Sequence, residues 1–360
     1  MKLKKKSAAI LGSTGMVGRR FAELLINHPW FEVGMLVGHK SINESYQQVW
    51  ERKESAMEEH YGRGFWQKKP FPESLRDYRV QSFEDLINAD SIDVVFSAIS
   101  AEVGHLEQKL LDNGFTIFSN SPYGRFEEAH PLVIPEVNGQ EIRTQKFVKN
   151  PNCVTSGLVM ILDVLRENYG LKEVSVVTFQ SLSGRGDAKY PPDLVVGNVY
   201  PLHDSDERTE EYIAREVKKI LRENLPLSIS CNRVFVQEGH LVDLKVKTKN
   251  RITSESEVLE LFRNYNPLRD LNLPSSPASP LLVINEIGRP RPNQDAFHHA
   301  GLSVAIGNVS TADDVFDLRL QYVVNNLIRG AAGSAILNAE LYLQKQGSFA
   351  KLESYQQAPA

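Results

Sequence analysis

The feature that most constrains this chain is residues 7–27, SAAILGSTGMVGRRFAELLIN. A short apolar run meets a glycine-rich turn, and then Val17, Phe21, Leu24 and Leu25 recur at helical spacing. Strand, turn and helix in that order open a βαβ unit, which commits its strands to a parallel sheet covered on both faces. Gly12, Gly15 and Gly18 allow a tight bend, leave room for a pyrophosphate and aim a helix N-terminus at it. The spacing is G-x-x-G-x-x-G, one residue longer in its first interval than the dinucleotide fingerprint. Two readings therefore stand: a nucleotide cradle made of Gly12, Ser13, Thr14, Gly15, Met16, Val17 and Gly18, or a β-to-α turn with no ligand.

Further strands are read at 31–38 (FEVGMLVG), 92–100 (IDVVFSAIS) and 115–121 (FTIFSNS), with helical stretches at 83–88 and about 102–113. The alternation predicts a doubly wound, Rossmann-like parallel sheet. NAD enzymes usually offer an acidic residue to the ribose after the second strand, whereas this chain continues into GHKSINES. Lys40 and Ser41, a cation and a hydroxyl, suit a 2'-phosphate and hence NADP; the alternative is a solvated surface lysine. Residues 45–76 are polar, aromatic and charged without a clean period, and read as an insertion over the nucleotide site.

From about Val174 the texture changes. EVSVVTFQSLSG, SCNRVFVQEGHLVDLKVKTK and GLSVAIGNV alternate in the manner of a largely antiparallel sheet with one solvated face. A helical pattern resumes after about Val324, where Gly-Ala-Ala-Gly implies close packing, and the tail from Leu352 reads as loose. At about 150 residues per domain, 360 residues make two domains. The fold class is α/β: residues 1–152, completed by a C-terminal helix within 325–360, form the nucleotide domain, and 153–324 form an α+β substrate and dimerisation domain.

Composition removes several function classes. With 41 Lys+Arg against 45 Asp+Glu there is no basic excess to drive nucleic-acid binding. No window approaches eighteen uninterrupted apolar residues, which excludes an ordinary membrane-spanning helix. The basic start at residues 2–6 runs into a strand pattern that breaks at Gly12, so it lacks the apolar region of a signal peptide. Two cysteines argue for a reducing compartment, with the cytoplasm as the default.

One of those cysteines lies in KNPNCVTSGLVMIL, residues 149–162. Pro151 favours a turn and Asn152 a helix cap, so the Cys153 thiol sits at a helix N-terminus, where the dipole favours thiolate. Locally this fits a nucleophile, but a free cysteine is more often a small buried hydrophobe, so context must decide. A nucleophilic cysteine needs a proton-handling base, donors for an oxyanion and cations for an anionic substrate. His240, backbone amides near Cys153, and Arg125 and Arg233 supply those groups if the fold gathers them.

In order along the chain, LGSTGMVG, SNSPYGR, PLVIPEVN, NPNCVTSGLV, QSLSGRG, CNRVFVQEGH, NEIGRPRPNQD and NLIRGAAG resemble the aspartate-semialdehyde dehydrogenases, in their archaeal and fungal branch. The resemblance runs from about Ser7 to Gly347. It implies NADP-dependent, reversible reductive dephosphorylation of aspartyl phosphate through a cysteine thioester, on the route to lysine, threonine and methionine. It also implies inorganic phosphate as co-substrate, no metal, and a homodimer or homotetramer. By position, Cys153 is then the nucleophile, His240 the acid/base and Gln180 the residue that orients the reacting carbonyl. Arg233 matches the binder of the substrate carboxylate, Arg125 and Asn152 match phosphate-site residues, Glu210 is carried into the substrate site, and Ser183, Gly184 and Asn326 into the cofactor site.

The chain departs from that pattern in RTEEYIAREVKKIL, residues 208–221. Thr209 and Tyr212 stand where the family carries a glutamate and a lysine. Arg215, one turn on from Tyr212, and Arg185 in SLSGRG are cations that could substitute. The alternatives are a reductase acting on another acyl donor, such as malonyl-CoA, and an inactive nucleotide-binding paralogue.

Overall fold

The computed structural model describes residues 4–203, 208–311 and 314–348. Strands β1 (Lys6–Leu11), β2 (Phe31–Val37), β3 (Val80–Gln81), β4 (Val94–Ser97), β5 (Ile117–Ser119) and β6 (Phe147–Lys149) form one all-parallel sheet in the order β3-β2-β1-β4-β5-β6. The order reverses between β1 and β4, and the crevice beyond their carboxyl ends is where such sheets bind ligands. Ala8, Ala9 and Ile10 of β1 are all fully buried, as expected of a strand covered on both faces.

Helix α1 (Met16–Leu25) follows the glycine loop and buries Phe21, Ala22 and Leu25; the Phe21 ring stacks on Phe96 at 5.0 Å. A side chain at Gly18 would bring its Cβ to 2.1 Å from the Gly12 carbonyl oxygen, so only glycine lets α1 start this close to the loop. The insertion at 45–76 contains helix α2 (Tyr46–Tyr61), with Tyr46, Val49, Trp50 and Met57 buried. Its period is hard to see because the helix is gripped on several sides. Tyr46 donates to the Ser13 carbonyl at 2.9 Å, Glu54 pairs with Arg19 at 3.1 Å, and Lys53 reaches Asp187 of the second domain at 2.8 Å.

Cys153–Tyr169 is helix α3, which crosses into the second domain and buries Val154, Leu158, Ile161, Leu162 and Leu165. They share one core with Val174, Val176, Val242, Leu244 and Tyr322; each large aliphatic buried there contributes about 1.5–3 kcal/mol. The sheet beneath comprises β7 (Leu171–Gln180), β8 (Val199–Pro201), β9 (Leu227–Val234), β10 (His240–Thr248), β11 (Leu281–Val283), β12 (Val304–Ser310) and β13 (Leu318–Val324). Its order is β11-β12-β13-β10-β7-β9-β8.

The sheet is mixed: β7·β9 and β11·β12 are parallel, the other neighbours antiparallel. The β7–β9 pair runs parallel because the connection between them holds a crossover helix, α4 (Thr209–Leu221), a length no hairpin uses. Strand β10 shows the expected alternation, with Val242, Leu244 and Val246 inward.

The C-terminal helix begins later than its apolar pattern suggests. Asn325 Oδ1 first accepts the N–H groups of Leu327 and Ile328, a π-helical turn covers Ile328–Ala332, and α5 runs over Gly333–Lys345. Ile336, Leu337 and Leu341 return to the first sheet beside Phe118 and Val148. The tail from Leu352 lies outside the described residues. No helix among the described residues is long and apolar enough to cross a membrane.

Candidate active site

Cys153 is the first residue of α3, and the Asn152 side chain caps it by accepting the Val154 N–H at 2.9 Å. Three neighbouring strands deliver polar residues to this helix end. His240 opens β10, Gln180 closes β7, and Arg233, in register with Gln180, lies near the end of β9. The Cys153 Sγ is 3.1 Å from His240 Nε2.

Two glycines make that contact possible. A Cβ on Gly330, in the π-turn, would sit 2.5 Å from the Cys153 Cβ; one on Gly184 would sit 2.8 Å from His240 Cε1 and 3.0 Å from Arg233 Nη1. The close packing expected of Gly-Ala-Ala-Gly is therefore against Cys153 itself. Sequence alone flagged the motif but could not name the partner.

Burial pushes the Cys153 thiol up to about 11, with Arg233 pulling the other way. Burial, and then Arg233, hold His240 well below the usual histidine range. Both shifts favour the uncharged forms, thiol and imidazole. Arg233 is itself buried, donating to the Ser181 carbonyl at 2.7 Å and lying 5.0 Å over the Tyr190 ring. Gln180 is buried and donates to Thr178 Oγ1 at 3.1 Å.

On the other side of the helix end, Arg125 donates to Glu216 at 2.8 Å and to the Asn120 carbonyl at 2.7 Å. The Glu216 carboxylate, fully buried on α4, also accepts the Asn152 N–H at 2.7 Å and the Thr155 hydroxyl at 2.6 Å. One carboxylate thus joins Arg125 to the cap of the cysteine helix. In the sequence Glu216 is only one acidic residue on an amphipathic helix; its buried, inward position is the signal, and it appears once the helix is packed.

Tyr212 stacks on Phe126 at 5.4 Å, and its ring lies 6.0 Å from the Arg125 guanidinium. Arg215 covers the Phe126 ring at 3.7 Å, pairs with Glu211 at 3.3 Å and is half exposed; Arg185 is exposed. Arg215 is thus committed to Phe126 and Glu211. Lys219 holds the Arg125 loop instead, donating to the carbonyls of Arg125, Glu127 and His130 at 3.0, 2.8 and 3.0 Å. Thr209 is buried, while Glu210 accepts the Cys231 N–H at 2.8 Å and faces His203 at 2.9 Å, engaged with strand β9 rather than with the thiol.

At the glycine loop, Gly12 has φ +83°, and a Cβ there would lie 2.8 Å from the Ala98 carbonyl oxygen. Gly15 is open, its nearest obstruction at 3.6 Å, and α1 starts there without a side-chain cap. Ser13 Oγ donates to the Val37 carbonyl at 3.1 Å, and the Thr14 carbonyl accepts from Arg19 at 2.9 Å. Met16, Val17 and Gly18 form the first turn of α1, whose N–H groups have no intrahelical acceptor, which fits a dinucleotide phosphate. Lys40 is exposed beyond β2, and Ser41 accepts from Arg52 at 3.1 Å. Asn326 donates to Ser183 at 3.0 Å, so these two sit together between the glycine loop and His240.

The chain matches the profile described as semialdehyde dehydrogenase, NAD binding domain, over residues 7–145, and that described as semialdehyde dehydrogenase, dimerisation domain, over 162–329. An aspartate-semialdehyde dehydrogenase of Trichophyton rubrum is 31% identical over 95% of this chain and 98% of that one. A malonyl CoA reductase (NADP) of Metallosphaera sedula is 29% identical over 94% and 97%. The structure of aspartate semialdehyde dehydrogenase with NADP from Candida albicans superposes with a TM-score of 0.81 at 27% identity, covering 96% of this chain and 100% of that one. With the parallel sheet, the open glycine loop and the thiol–imidazole pair at their junction, these likenesses carry one conclusion: the chain belongs to the semialdehyde dehydrogenase family.

Proposed function

We propose that this protein is an NADP-dependent aspartate-semialdehyde dehydrogenase that interconverts aspartyl phosphate and aspartate semialdehyde through a Cys153 thioester. The observation that carries the reading is the 3.1 Å contact between Cys153 Sγ and His240 Nε2 at the head of α3, with Gln180 and Arg233 on the adjoining strand ends.

In the reductive direction His240 takes the thiol proton, and the thiolate attacks the acyl carbon of the acyl phosphate. The bond from that carbon to the phosphate oxygen breaks, phosphate leaves, and a thioester remains. The α3 N-terminus supplies N–H dipoles to the oxyanion of that step, and Arg233 is the cation for the substrate carboxylate. Residues 12–18, with Lys40 and Ser41 for a 2'-phosphate and Ser183, Gly184 and Asn326 on the side of the thiol, would hold the dinucleotide, which when bound would supply hydride for reduction of the thioester. His240 returns its proton as the carbon–sulfur bond breaks and the aldehyde departs.

In this reading residues 1–152 with the C-terminal helix hold the cofactor, and 153–324 carry the chemistry and the subunit contact. The dimerisation-domain match supports a homodimer or homotetramer, and the two unpaired cysteines suit a reducing cytoplasm. Arg125 and Asn152 remain the phosphate-side residues, with Glu210 in a supporting position on α4.

A second reading rests on Thr209 and Tyr212. An aromatic ring where relatives carry a cation fits an acyl donor other than an acyl phosphate, and the Metallosphaera relative is named for a CoA thioester. Steady-state assay separates the two. Purified protein should sustain NADP reduction over many turnovers only when aspartate semialdehyde and phosphate, or arsenate, are present together; CoA-dependent turnover that ignores phosphate would establish the second reading and refute the first.

A further inference from the structure

Helix α2 lies in the insertion of the nucleotide domain, yet one of its faces is turned to the other domain. Lys53, Met57 and His60 are spaced i, i+4, i+7, which puts them on one side of the helix. In that order they meet a short segment of the second domain. Lys53 Nζ reaches Asp187 at 2.8 Å, Met57 Sδ receives the Ala188 N–H at 3.1 Å, and His60 Nε2 lies 2.8 Å from the Tyr190 carbonyl oxygen. A carbonyl only accepts, so His60 carries a proton on Nε2 and donates it. From α1, Arg19 brings its guanidinium within 3.6 Å of Asp187 while holding the Thr14 carbonyl of the glycine loop at 2.9 Å.

That segment carries Tyr190, which is buried. Its ring lies 5.0 Å from the Arg233 guanidinium, and its hydroxyl oxygen is 3.4 Å from Arg233 Nη2. On the other nitrogen, Arg233 Nη1 donates to the Ser181 carbonyl at 2.7 Å. A planar guanidinium held at two nitrogens and along one face has its direction fixed. The insertion also grips the other flank of Arg233. Phe65 stacks on Phe235 at 3.7 Å, and Gln67 and Gln237 exchange two hydrogen bonds at 2.9 Å. The segments on both sides of the arginine, 187–190 and 235–237, are therefore docked on residues 53–67.

We infer that α2 and its tail are a strap that seats Arg233: through Asp187, Ala188 and Tyr190 the nucleotide domain sets the direction of the cation that receives the substrate carboxylate. The inference rests on the reading of Arg233 as that cation, and it extends the substrate site to residues that touch no substrate. Lys53, His60 and Asp187 are positioning residues in this scheme. Direction matters because a guanidinium binds a carboxylate best along its N–H bonds, two at a time. The strap also accounts for the missing period at 45–76. Tyr46, Val49 and Trp50 pack into the core of the first domain, while Met57 joins the core of the second.

Asp187→Ala strands no charge, because Arg19 keeps Glu54 at 3.1 Å and Lys53 is 37% exposed. The variant should therefore fold, and what it loses is the tie between the two domains at the Arg233 side of the site.

The test compares the rates at which iodoacetate and iodoacetamide alkylate Cys153 in the full-length protein without ligands at about pH 8, read on the Cys153 peptide by mass spectrometry. The reagents differ in a carboxylate against an amide. Their rate ratio reports the cation facing the thiol, and the iodoacetamide rate alone reports the thiol. The wild-type ratio should exceed that of N-acetylcysteine measured alongside. Asp187→Ala and His60→Leu should each lower it about fivefold with the iodoacetamide rate unchanged, the effect of one weakened hydrogen bond to a charged group. His60→Gln, which keeps an N–H donor, should hold the wild-type ratio. A wild-type ratio in either Asp187→Ala or His60→Leu, or an equal fall with both reagents, overturns the strap and leaves the proposed activity intact. A wild-type protein whose ratio is no higher than that of N-acetylcysteine removes Arg233 as the substrate cation, and the strap falls with that assignment.

Discussion

Replacing Cys153 with serine should leave a folded protein that still binds NADP but turns over at least about a thousandfold more slowly. The size of the effect follows from the surroundings. The site around Sγ is shaped to a sulfur atom, with Gly330 against its Cβ and His240 at 3.1 Å. A hydroxyl there fits the space but is a far weaker nucleophile, and His240, held well below the usual histidine range by burial, is a poor base for it. Fluorescence titration with NADPH alongside steady-state kinetics checks both halves of the expectation. A serine variant retaining a substantial share of the wild-type rate would show that the covalent step runs elsewhere.

Glu216→Leu should cost about 3–5 kcal/mol of stability. The side chain is fully buried and answers Arg125, the Asn152 N–H and the Thr155 hydroxyl at once. Its removal strands a guanidinium that is itself only 5% exposed. The double variant Glu216→Leu with Arg125→Leu should recover much of the loss, because no lone charge remains. Denaturant midpoints for the two single variants and the double complete the cycle; a Glu216→Leu protein as stable as wild type would remove Glu216 as the link between Arg125 and the cysteine helix.

Local chemistry was legible in the sequence, and convergence was not. The strand, glycine turn and helix at 7–27 could be placed because the turn residues and the change of period lie within a few residues of one another. The Asn152 cap and the start of α3 at Cys153 were readable for the same reason. By contrast, Cys153 and His240 are 87 residues apart, and nothing local announces that β10 begins under the head of α3. Resemblance to a family supplied that link before the fold did.

Glu216 is hidden because its partners lie on two other segments, the Arg125 loop and the head of α3, and the place of Gly330 in the π-turn at Ile328–Ala332 because what it packs against, Cys153, is far away in sequence. Helix α2 was obscured by its own packing: gripped by the nucleotide loop and by the second domain, it has no single apolar stripe. Tyr212 reads from the sequence as a departure from the family pattern, and its surroundings, a stack with Phe126 that Arg215 covers, are visible only in the fold.

The central claim is a thioester on Cys153, and it is tested most directly by starving the reaction of phosphate. With aspartate semialdehyde and NADP but no phosphate or arsenate, the enzyme should release about one equivalent of NADPH per active site and then stall. Mass spectrometry of the quenched protein should find the aspartyl adduct on the peptide that carries Cys153. A missing burst together with an unmodified Cys153, in protein that turns over once phosphate is added, would contradict the account.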